Sequence, residues 1–97
     1  MLERDFQKRL IKEIKELFSG CFVLKNDGSN TPQGFPDILI IYKNKWAALE
    51  CKRNGNSHKQ ANQEHYISAL DDMSFARFIC PENKEVILDE LKQAFGD

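Results

Sequence analysis

The chain predicts an α/β fold, ordered αβββαβα, with one mixed sheet flanked by helices in a single domain of 97 residues. Three observations carry that expectation. Apolar residues recur at helical spacing near both ends of the chain. Two β-prone runs, Ile38–Tyr42 and Trp46–Cys51, flank the polar Lys43-Asn44-Lys45, the pattern of a hairpin with a three-residue loop. A further helix-periodic stretch then separates the hairpin from another β-prone run, as in a crossover between parallel strands.

The elements follow in order. Leu2–Phe18 reads as an amphipathic helix whose stripe is Phe6, Leu10, Ile14 and Leu17. Glu3 lies within about 60° of Phe6 and about 20° of Leu10 and Ile14 on that helix, so its carboxylate centres on the apolar face. It serves either a buried site or, in a frayed first turn, the helix dipole. Gly20 stops the helix, and Cys21–Lys25 alternates as a short strand. The loop from Asn26 to Gly34 is polar and turn-rich, either a binding loop or a plain connector. Pro36 suits a strand start just ahead of Asp37. After the hairpin, Arg53-Asn54-Gly55-Asn56 is a turn. Ser57 followed by Gln60 has capping-box spacing, which predicts a helix from near His58 to about Asp71. On it Gln63 shares a face with Ile67 and Leu70. Gln63 therefore either bonds a metal-bound water or phosphate, or satisfies a buried backbone group. Phe75–Cys80 is the fourth strand. Glu82–Phe95 is the last helix, turned inward at Ile87, Leu88, Leu91 and Phe95 and stopped by Gly96.

Composition narrows the function. Hydrophobic residues make up 41% and charged residues 30% of the chain, the proportions of a folded globule. A net charge of −1 argues against a protein that coats nucleic acid. A local basic face remains available from Lys25, Lys43, Lys45, Lys52, Arg53 and Lys59, all placed around the proposed site. Cys21, Cys51 and Cys80 form no C-x-x-C pair and read as reduced, buried residues of a cytoplasmic protein. Their spacing to His58 and His65 fits no zinc pattern. Neither a signal peptide nor a run long enough to span a membrane is present.

The chemistry concentrates between Gly34 and Lys52. Glu50 and Lys52, two apart on one strand, project from the same side of the sheet, with Cys51 on the other. The start of one hairpin strand lies beside the end of its partner, which brings Asp37 to Glu50 and Lys52. Paired carboxylates bind Mg²⁺ through hard oxygens, and a bound cation polarises a phosphoryl oxygen and supplies a hydroxide nucleophile. The adjacent ammonium can orient water or offset charge in the transition state. An E-x-K pair by itself is also an ordinary surface ion pair.

Four motifs in this order resemble the PD-(D/E)xK nucleases, and more narrowly the stand-alone VRR-NUC domains of bacteriophages and bacteria. They are Glu3 with Gln7, Gly34-Phe35-Pro36-Asp37, Leu49-Glu50-Cys51-Lys52, and Gln63-x-x-Tyr66-Ile67-x-x-Leu70. The chain lacks a Val-Arg-Arg run, and carries Lys25-Asn26 where many relatives have an arginine. The resemblance implies a restriction-endonuclease-like core and a phosphodiesterase dependent on Mg²⁺, with Mn²⁺ able to substitute. It implies that Glu3, Asp37, Glu50 and the Cys51 carbonyl hold the metal, that Lys52 positions the attacking water, and that Gln63 completes the pocket. It also implies structure-specific cleavage of branched DNA, Holliday junctions included, by a homodimer. Two-fold symmetry matches a two-fold junction. Lys25, Arg53, Lys59 and Gln60 are the candidate DNA contacts. A non-catalytic DNA-binding module, a flap or fork nuclease and an RNA-directed nuclease are the alternatives.

Overall fold

In the computed structural model, which describes residues 1–96, α1 (Glu3–Leu17) leads into β1 (Phe22–Lys25), β2 (Ile38–Tyr42) and β3 (Lys45–Cys51). Then come α2 (Ala61–Met73), β4 (Phe75–Ile79) and α3 (Lys84–Phe95). The four strands make one sheet in the order β1-β2-β3-β4. The first three pair antiparallel, and β4 joins β3 in parallel after the α2 crossover. The expected α/β architecture with one mixed sheet is therefore present.

Strand alternation divides the sheet into two unlike faces. Ile38 and Ile40 of β2, Ala47, Leu49 and Cys51 of β3, and Phe75 and Ile79 of β4 form one core with Phe6, Leu10, Ile14 and Phe18 and with Ile87, Leu88, Leu91 and Phe95 of α3. A side chain such as Leu10 or Leu91, at most 1% exposed, contributes roughly 1.5–3 kcal/mol by leaving water. The opposite face carries Asp37, Glu50 and Trp46. Over β3 and β4 it is covered by α2, which has no fully buried residue.

Several expected boundaries move, each for a local reason. Leu17 is not part of the buried stripe; it is 37% exposed. The helix ends there, and Phe18, at φ −121 and ψ 79, swings its ring under the sheet instead. That ring meets Tyr42 and Phe95 at centroid distances of 5.3 and 5.1 Å. Cys21 is only half-buried, whereas Cys51 and Cys80 are buried as expected, and all three are free thiols. α3 begins at Lys84, two residues late, because Asn83 uses its side chain on the turn before it. Its Oδ1 accepts from the Cys80 N–H at 2.8 Å and its amide donates to the Phe78 carbonyl at 3.2 Å. Gly96 stops α3 at φ 77, in the left-handed region.

Two corrections bear on the site. The hairpin loop has two residues, not three: Lys43 adopts φ 58, and Lys45 pairs with Tyr42 as the first residue of β3. A three-residue loop would oppose Asp37 to Cys51. The tighter turn moves the pairing by one, so that Asp37, one step beyond the Ile38–Leu49 pair, stands opposite Glu50. The turn also carries Lys43 and Lys45 to the far end of the ribbon, roughly 17–20 Å from the acids at strand spacing. They do not belong to the basic face around the site. Lys43 lies over the Tyr42 ring, and Lys45 donates to the Phe95 carbonyl. Ser57 is the second correction. It does not cap α2, because its hydroxyl accepts from the Asn54 N–H at 3.1 Å and closes the preceding turn. The helix starts at Ala61 with Gln60 at its cap, and Gln63 closes the capping box.

Candidate active site

The site is assembled at the end of the β2–β3 ribbon by strand register. Asp37 enters β2 there, and its Oδ2 accepts from the Cys51 N–H at 2.9 Å. Glu50, 5% exposed, stands opposite Asp37 in the register of the ribbon. Burial pushes the Glu50 carboxyl up to about 8, and the neighbouring Asp37 charge and hydrogen bond, with a smaller push from Glu3, add to the rise against the pull of Lys52. Two acids are thus held where at least one resists ionisation.

Gln63 joins this pair to Lys52. Its Nε2 donates to Glu50 Oε2 at 3.2 Å, and its Oε1 accepts from Lys52 Nζ at 2.7 Å. The same Oε1 accepts the Gln60 N–H at 3.1 Å, so the residue that caps α2 also bridges the acid and the cation. Lys52 donates a second bond to the His58 carbonyl at 2.9 Å. Its ammonium is therefore oriented by α2 and the segment before it. Cys51 is buried behind the acids, and desolvation together with the Asp37 and Glu50 charges pushes its thiol up, which keeps it neutral and inert.

The other expected residues are more dispersed. Glu3 is exposed in the first turn of α1, on the helix that packs against the opposite sheet face. Its charge reaches Glu50 and Cys51 and adds to the upward push on both groups. Lys25 ends β1, and Arg53 and Gln60 are exposed on the rim. Lys59 sits over the Phe78 ring at 5.3 Å, beside a small cavity it shares with Lys52. A cleft of about 420 Å³ opens in front of Asp37, Glu50 and Gln63, walled by the loop that runs from Asn26 to Gly34.

Two residues that the sequence offers only as a motif glycine and a loop asparagine also shape the site. Gly34, at φ +91, faces the first turn of α2 so closely that a Cβ would stand 2.4 Å from Asn62 Cβ. Asn26 ties the loop to the strand entry. A glycine before P-D and an asparagine before a turn are visible signals, but neither reveals a partner far away in sequence.

No family model, curated protein or solved structure matches the chain. A buried carboxylate with a second carboxylate against it and a main-chain strand end beside it is a hard-oxygen site in which a divalent cation would relieve mutual repulsion. Among the described residues no three acidic, histidine or cysteine side chains close around a common point. A cation held there would draw two carboxylates from the chain and would fill its shell from main-chain oxygen, water or substrate. Mg²⁺ and Mn²⁺ accept that arrangement. Also among the described residues, no helix is long and apolar enough to cross a membrane.

Proposed function

We propose that this protein is a metal-dependent endonuclease that hydrolyses phosphodiester bonds in branched DNA, a VRR-NUC-like member of the PD-(D/E)xK nucleases. The observation that carries the reading is the Asp37–Glu50 pair at one ribbon end, linked through Gln63 to the Lys52 ammonium. A bound Mg²⁺ would supply Lewis-acid polarisation and an acidified water. Asp37 and Glu50 provide its carboxylate ligands, and the Cys51 carbonyl leaves the strand on the same edge as the N–H that meets Asp37. Lys52, fixed at both Gln63 and His58, orients the attacking water or offsets charge that develops on the phosphate. Glu3 adds negative potential from α1, and Arg53, Lys59 and Gln60 lie on the surrounding surface for backbone contacts, whereas Lys25, in register with Ile38, projects from the opposite face of the sheet. A panel of linear, flap, fork and four-way DNA, with matched RNA, tests this. Cleavage of branched DNA that vanishes on chelation is expected. Binding without cleavage would favour a DNA-binding module, and preferential RNA cleavage would change the substrate.

The active unit in this reading is a homodimer. Among the described residues, no helix covers β1 and β2 on the face shared with the acids, and Phe22, Leu24 and Ile41 are 70, 52 and 37% exposed. Phe22, Ile41 and Trp46 align across three strands, an apolar row that a second copy of the chain could cover. Light scattering at micromolar concentration is expected to give twice the 11.3 kDa of one chain. Phe22→Glu is expected to return the protein to 11.3 kDa without unfolding it. A monomeric wild type would refute the dimer.

A further inference from the structure

We propose that Asn26 is the positioning residue for Asp37, the clamp that sets where this acid enters the sheet. The inference rests on the reading of Asp37 as an active-site acid. The Asn26 N–H donates to the Asp37 carbonyl at 2.7 Å. The side-chain amide donates to the two preceding carbonyls, Phe35 at 3.3 Å and Pro36 at 3.2 Å. Three consecutive carbonyls, those of residues 35, 36 and 37, thus converge on one residue. The amide oxygen accepts on its other side, from the Gly28 N–H at 2.9 Å and the Thr31 hydroxyl at 2.8 Å. Both donors and both lone pairs of the amide are in use, and the partners fix its orientation: carbonyls require the NH₂ and the N–H and hydroxyl require the oxygen.

The loop needs such a clamp. Cavities of about 420 and 310 Å³ lie along it, both lined by Asn26, and residues 27–30 are exposed, so packing acts mainly at its far end, where Phe35 meets Tyr66 at 5.4 Å and Pro36 is buried. Pro36 offers no N–H, leaving the approach to Asp37 without a donor of its own at that residue. Other side chains fail for definite reasons. Aspartate has no N–H for the carbonyls of Phe35 and Pro36 and would set negative charge against them. Alanine satisfies none of the four partners. Displacement of residues 35–37 would carry the Asp37 carboxylate away from the Cys51 N–H and from Glu50.

Amide exchange by NMR at Cys51, whose N–H donates to Asp37 Oδ2, reads this without requiring activity. Asn26→Asp keeps acceptors for Gly28 and Thr31 but loses both donors. It is expected to lower Cys51 protection about tenfold relative to core amides such as Leu91, the scale of one lost hydrogen bond. Thr31→Ala, which touches only the loop side, is expected to leave Cys51 protection unchanged. If the protein cleaves DNA, Asn26→Asp lowers kcat with little change in KM. In the wild type, the Asn26 side-chain NH₂ protons are expected to exchange slowly, a measurement that needs no variant. Cys51 protection within twofold of wild type in Asn26→Asp, or freely exchanging NH₂ protons in the wild type, overturns the proposal. Absence of cleavage by the wild type would instead count against the nuclease reading.

Discussion

Glu50→Gln is expected to abolish DNA cleavage, by at least about a thousandfold, because one of the two proposed anionic ligands becomes a neutral amide while its shape is kept. The same variant has a second signature. The Glu50 carboxyl stands at about 8 in the folded protein against 4.5 in its ordinary state. Between those values the folded chain holds a proton that the unfolded chain has released. Stability without metal therefore falls as pH rises from 4.5 to 8, by no more than about 5 kcal/mol. Thermal melts across that range should show the decline in the wild type and a flattened profile in Glu50→Gln. Added Mg²⁺ should restore wild-type stability at the alkaline end and do little for the variant. A variant that cleaves at the wild-type rate, or melts with an unchanged pH profile, would remove Glu50 from the role given to it.

Gly34→Ala is expected to produce the largest loss of stability among single-methyl changes in this chain. Its φ of +91 disfavours any L side chain, and the added Cβ would stand 2.4 Å from Asn62 Cβ and 3.1 Å from the Gln63 backbone nitrogen. Strain of roughly 1–2 kcal/mol adds to a clash against helix backbone, which cannot yield as a flexible side-chain tip would. A fall in Tm of more than about 10 °C is the expected scale. If the helix moves instead, Gln63 leaves Glu50 and Lys52, and cleavage falls with less loss of stability. Gly28→Ala is the control: its φ is +85 but a Cβ there meets nothing within 4 Å, so only the backbone strain is incurred. Equal melting temperatures for the two variants would show that the close approach to α2 does not matter.

The parts of the fold visible in the sequence are those set by periodicity. Phe6, Leu10 and Ile14, the β-prone runs, and Ile87, Leu88, Leu91 and Phe95 place α1, the hairpin and α3 because one buried face demands one spacing. The site was legible to the extent that it depends on alternation: Glu50 and Lys52 share a face, and hairpin ends meet. What the sequence concealed depends on tertiary partners. Lys43 carries no glycine-like signature, yet it takes the positive φ that fixes the register opposing Asp37 to Glu50. Ser57 has the spacing of a cap, but Asn54 claims its hydroxyl. Lys52 bonds Gln63 rather than an acid directly, a choice made by the arrival of α2 rather than by the strand. Glu3 centres on the helix stripe by angle, yet it sits in the first turn, where the helix has run past the core and the side chain is exposed.

The proposed binding of a divalent cation by the acid pair is tested most directly by calorimetric titration of Mg²⁺ into the wild type and Glu50→Gln near neutral pH. A buried carboxyl that still holds its proton there must release it when the cation binds. The expected result is binding with roughly one proton released per ion, seen as a heat that varies with the buffer's ionisation enthalpy, and loss of both in the variant. Wild-type protein that binds no Mg²⁺ at millimolar concentration, or a variant that binds it equally well, would contradict the assignment.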